Sequence, residues 1–131
     1  MKPRSVPILL FLLLFVSGLT FAQGGRMAQQ APSGADKARL AKLEKEYSTA
    51  KTALSKRPKD KKAQERFTAI GALYGHESMM SPVLPPRVKY RQALHIYREV
   101  LKVDPANKVA KGDSDMIISI YKSMGRPVPN D

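Results

Sequence analysis

The stretch YRQALHIYREVLKVDPAN, residues 90–107, decides the fold. Tyr90, Ala93, Leu94, Tyr97, Val100 and Leu101 fall on one face of a 3.6-residue period, as an amphipathic helix requires. Asp104-Pro105 then interrupts it. Asp suits a helix cap, and Pro suits the first turn of a following helix because it lacks the N–H that would go unused there. The pattern predicts a helix starting near Pro86 or Arg87 and a second helix beyond it, with Asp104 at its cap and Pro105 in its first turn.

Downstream, Ala110, Ile117, Ile120, Tyr121 and Met124 mark that second helix. Gly112-Asp113-Ser114-Asp115 is expected to weaken or break its start, and Gly125 to close it. Pro127 and Pro129 keep the tail, 126–131, extended.

Upstream lies a similar pair. Leu40, Leu43, Tyr47, Ala50 and Leu54 form one stripe, preceded by a capping-box-like Ser33 and Asp36 and stopped by Lys56-Arg57-Pro58. Asp60 can cap a further helix carrying Ala63, Phe67, Ile70 and Tyr74. Gly71 sits on its apolar face, where the missing side chain lets a neighbouring helix approach closely, and Gly75 is expected to end it. Residues 76–86, HESMMSPVLPP, are expected to be a Pro-rich loop, with Met79, Met80, Val83 and Leu84 tucked against the helices. The expected helical domain therefore spans 35–125.

The two pairs are copies of one unit. Pro58 and Pro105 lie 47 residues apart, and the same offset relates Leu54 to Leu101, Ala63 to Ala110, Ile70 to Ile117 and Tyr74 to Tyr121. Repeats of helix, Pro turn and helix cannot bury an apolar stripe singly, so they stack. The expected fold class is all-α: antiparallel helical hairpins stacked as a short solenoid of about four helices.

In these residues the chain resembles the tetratricopeptide repeat family. Phe67, Ile70, Gly71 and Tyr74 look like the first helix of that motif; Ala93, Tyr97, Val100 and Pro105 look like the second. Ile117, Ile118, Tyr121 and Gly125 look like the first helix of a following repeat, and residues 36–58, with Ala53 and Pro58, like the second helix of a preceding one. The resemblance covers about 47–125. It implies a module that binds a protein or peptide along the first helices of its repeats. Carried over, the partner-facing positions are Glu65, Thr68 and Ala72 in one helix and Asp115, Ser119 and Lys122 in the other. The Lys/Asn set that grips a C-terminal carboxylate in chaperone-linked members is missing; only Lys122 has a counterpart. A short array also leaves apolar end faces, so pairing with a second copy stays open.

The N-terminal segment MKPRSVPILLFLLLFVSGLTFA, residues 1–22, has the layout of a secretory signal. Lys2 and Arg4 precede an apolar run from Ile8 to Val16, and Thr20-Phe21-Ala22 offers small residues for cleavage after Ala22. The run is short for a membrane span, which needs about 20 residues; an uncleaved anchor is the alternative. QGGRMAQQAPSG, 23–34, reads as a flexible leader. The expected destination is the periplasm or the outside of the cell.

The 131-residue chain carries 23 Lys and Arg against 11 Asp and Glu, a formal charge of +12. Such a field favours anionic partners. Lys51, Lys56, Arg57, Lys59, Lys61 and Lys62 gather around the first turn and suit an anionic envelope surface, lipid or cell-wall polymer. Nucleic acid is a less natural partner for an exported protein. Cysteine is absent, which excludes disulfides, thiolate metal sites and a lipid-modified cysteine. His76 and His95 are far apart and lack ligand-spaced companions on one helix face, and Asp113 and Asp115 lack the later ligands of a calcium loop. No nucleophile elbow, phosphate-binding glycine loop or paired catalytic carboxylates appear in the sequence, so neither an enzyme nor a cofactor is expected.

Overall fold

The computed structural model describes residues 31–130. The signal segment, its cleavage point after Ala22 and residues 23–30 of the leader lie outside the described residues. Four helices follow one another: α1 (Gly34–Lys56), α2 (Lys61–Met80), α3 (Pro86–Val103) and α4 (Lys108–Ser123). The fold is all-α, with no strand among the described residues.

Each helix begins where a side chain accepts from its free N–H groups or a proline removes one of them. Ser33 and Asp36 form a reciprocal capping box on α1: Ser33 Oγ accepts from the Asp36 N–H at 3.1 Å, and Asp36 Oδ2 accepts from the Ser33 N–H at 3.0 Å. Asp60 Oδ1 accepts from the Lys62 N–H at 3.0 Å on α2, and Asn107 Oδ1 from the Ala110 N–H at 3.0 Å on α4. α3 has no side-chain cap and starts instead with Pro85 and Pro86. Gly125, at φ 62°, closes α4, with its N–H donating to Lys122 O and the Arg126 N–H to Tyr121 O, both at 3.0 Å.

The helices pair as antiparallel hairpins. Val100 of α3 lies opposite Gly71 of α2, and Tyr97 lies opposite Gly75, so residue numbers fall along one helix as they rise along the other. α2 packs on each of the other three helices, and most extensively on α3. α1 reaches α3 only by long side chains across α2's flank. The core consists of Leu43, Tyr47 and Ala50 from α1, Phe67, Tyr74 and Met79 from α2, Ala93, Leu94, Ile96, Tyr97 and Val100 from α3, and Ala110 and Ile117 from α4. Ile70, Tyr90 and Tyr121 are half-buried against it. Fully burying a side chain of the size of Leu94, Val100 or Ile117 contributes about 1.5–3 kcal/mol.

Four expectations are corrected. Gly75 does not end α2; the helix runs on to Met80, and the connection to α3 shrinks from 76–86 to the five residues 81–85. Burial explains the extension: Ser78 and Met79 reach the interior and hold the extra turns, while Met80 points outward at 63% exposure and does not tuck in. Asp104 and Pro105 belong to the turn, where Asp104 Oδ1 accepts from the Ala106 N–H at 3.1 Å, and the cap of α4 is Asn107. Finally, α4 runs unbroken through Gly112, because Ala110, Ser114 and Ile117 anchor both sides of it in the interior.

Candidate binding groove and the polar contacts beneath it

α2 exposes a second stripe beside the one it buries. Ala69, Leu73, His76 and Met80 step by four, three and four residues along its outer face. Where α4 approaches, Ala69, Ala72, Leu73 and His76 meet Val109 around an apolar furrow of about 380 Å³. Leu73 is 44% and Val109 48% exposed, so the furrow opens to solvent. Met116, two turns after Val109, is exposed on the same side of α4.

A polar knot joins the two helices at the edge of the furrow, where His76 lines it. Asp113 of α4 accepts from the Tyr97 hydroxyl of α3 at 2.7 Å, and His76 Nδ1 of α2 lies 2.9 Å from the same Oδ2. Three helices thus meet at one carboxylate oxygen. Burial, followed by the hydrogen bond to Asp113, pushes the Tyr97 phenol well above its ordinary value.

A matching knot joins α1 to α3. Glu99 Oε2 accepts from the Tyr47 hydroxyl at 2.7 Å and from Lys51 Nζ at 2.6 Å. Partial burial disfavours the Glu99 charge, but the hydrogen bonds from Lys51 and Tyr47 and the Lys51 charge outweigh it and hold the carboxyl below its ordinary value. Burial first, and Glu99 second, raise the Tyr47 phenol. Gln92 of α3 donates to the Tyr74 hydroxyl at 2.6 Å and to Ser78 Oγ at 3.2 Å on α2, and burial pushes Tyr74 up to about 12.

The six positions carried over from the repeat resemblance do not converge. Ala72 lines the furrow. Thr68 is buried, and its hydroxyl donates back to Gln64 O and Glu65 O of its own helix. Glu65 is exposed on α2, and Asp115, Ser119 and Lys122 are exposed on α4 outside the furrow.

No protein-family model, no curated protein and no solved structure matches the chain.

The repeat-motif residues do share one interior: Phe67, Gly71, Tyr74, Ala93, Tyr97, Val100 and Ile117 are buried, Ile70 and Tyr121 half-buried, and Pro105 occupies an exposed turn. The furrow residues that the sequence reading did not single out include Leu73 and Val109. Both are large apolar side chains standing off the buried stripe, which was the available signal. The Asp113 contacts carry no sequence signal, because they join three helices.

Proposed function

We propose that the chain is an exported helical-repeat module, resembling tetratricopeptide repeats, that binds a protein or peptide through the furrow between α2 and α4 and catalyses no reaction. The observation that carries this reading is the half-exposed apolar pair Leu73 and Val109, which line one furrow from two helices that the His76–Asp113–Tyr97 contacts join. An apolar furrow suits the apolar side chains of a docked segment. The interhelical titratable groups Tyr47, Tyr97, Glu99 and Asp113 are each tied into bonds that hold helices together, which favours a structural role for them over a catalytic one.

The test is affinity capture from an envelope or culture-supernatant extract with the wild-type chain and with Leu73→Glu/Val109→Glu, washed at low and high salt. A partner that survives high salt and is lost with the double variant supports the furrow. Partners retained equally by both proteins contradict it.

A second reading, an electrostatic binder of anionic envelope surfaces, is favoured by a depression on α1 lined by Lys45, Lys56 and Arg57. Part of the basic cluster around the first turn is already engaged: Lys51 pairs with Glu99 at 2.6 Å and Arg57 with Asp60 at 3.6 Å. In this reading every partner is released by moderate salt.

A further inference from the structure

The side of α3 turned away from α2 is cationic. Arg87, Arg91, His95, Arg98 and Lys102 recur at four, four, three and four residues, which places them within one face of the helix. The single acidic residue of α3, Glu99, is shared between Tyr47 and Lys51 of α1, which meet its Oε2, and His95 of the same face, whose Nε2 lies 3.9 Å from its Oε1. Arg87 and Arg91 are exposed and make no ion pair among the described residues.

The chain's own tail already rests on this face. Residues 126–130 leave α4 as a non-helical segment, Val128 packs against the core, and Pro129 and Asn130 reach α3. Arg87, Val88, Arg91, Gln92, His95 and Arg98 of α3, together with the tail, line a cleft of about 510 Å³. The surface therefore accepts an extended polypeptide, and the tail forms a wall along it.

We infer that this cleft is a docking surface for an extended acidic segment of a partner protein, whose carboxylates at alternate positions meet Arg87 and Arg91. Two observations select that occupant. Four residues of helix rise about 6 Å, and two residues of an extended chain advance about 6.7 Å, so acids at every second position keep step with arginines one turn apart. Guanidinium groups also offer carboxylates a two-pronged hydrogen bond that a simple ammonium cannot. The tail wall makes the face concave, which suits a chain lying in it better than a flat bilayer.

The experiment titrates the full chain into a fluorescein-labelled nonapeptide with Glu at alternate positions, read by fluorescence anisotropy. A peptide of equal composition with its Glu residues contiguous, and phosphatidylglycerol vesicles, are the comparison probes. The expected result is saturable binding of the alternating peptide, weakened at least tenfold by Arg87→Glu/Arg91→Glu and less than threefold by Lys45→Glu/Lys56→Glu on α1, with circular dichroism unchanged for both variants. Equal losses from the two variants, equal affinity for the contiguous peptide, absence of saturable binding, or binding to vesicles alone would each overturn the inference. None of these outcomes bears on the α2–α4 furrow, because Leu73 and Val109 lie outside the cleft.

Discussion

The backbone of Gly75 in α2 lies against the phenol ring of Tyr97 in α3, with no room between them for a side-chain carbon. One turn earlier, a Cβ on Gly71 would sit 2.5 Å from Val100 Cγ2 and 3.3 Å from Tyr47 Cε2. Two glycines a turn apart thus let the central helices pack backbone to side chain. Gly inside a helix costs about 1 kcal/mol relative to Ala, so both positions give up helix propensity for close packing.

Gly75→Ala is therefore expected to destabilise despite the better helix former. Overpacking of a rigid interior costs about 1–3 kcal/mol, against about 1 kcal/mol gained in propensity. The expected net loss is up to about 2 kcal/mol, measured as a lower urea midpoint at unchanged m-value. A midpoint that stays or rises would show that the ring can move aside.

Glu99 sets part of the acid limb of stability. Its folded-state pKa is depressed, so its contribution is present above the unfolded value and is lost as pH falls through the folded one. Wild-type stability should drop more steeply between neutral pH and pH ~3 than that of Glu99→Gln, whose neutral side chain does not titrate. Parallel curves for the two proteins would remove Glu99 from that role.

Tyr47, Tyr74 and Tyr97 set the alkaline limb. Burial raises all three above the ordinary value, Tyr74 to about 12, so their contribution is complete below pH ~10 and is lost as pH rises through the folded values. Ultraviolet titration of phenolate formation should show a delayed fraction that appears only on alkaline unfolding. Tyr74→Phe should reduce the amplitude of that fraction; an unchanged amplitude would mean that Tyr74 ionises with the exposed phenols.

The furrow should be cheap to alter and its floor costly. Leu73→Glu and Val109→Glu, both half-exposed, are expected to change stability by less than about 1 kcal/mol. Ala72→Glu, at 8% exposure, places a charge among buried atoms and should cost several times more. Thermal melts of the three variants check the order.

The periodic stripes and the repeated Pro turn announced the all-α architecture, the hairpins and most of the core before any coordinates, because burial of one helix face leaves a local imprint. The end of α2 was not legible. Gly75 carries the local mark of a stop, and only the Tyr97 ring opposite explains why it is glycine within a continuing helix. Likewise, His76 and Asp113 lie 37 residues apart and meet only through the crossing of α2 and α4. Of the carried-over partner positions only Ala72 lies on the furrow, because which exposed side chains face each other depends on how the helices cross.

The most direct test of the glycine-lined contact is a nuclear Overhauser measurement on the isotope-labelled chain. The predicted result is strong cross-peaks between the Gly75 α-protons and the Tyr97 ring protons, with the Gly75 α-protons shifted by the ring current. A well-dispersed helical spectrum in which the Tyr97 ring shows no contact with Gly75 would contradict the packing of α2 on α3.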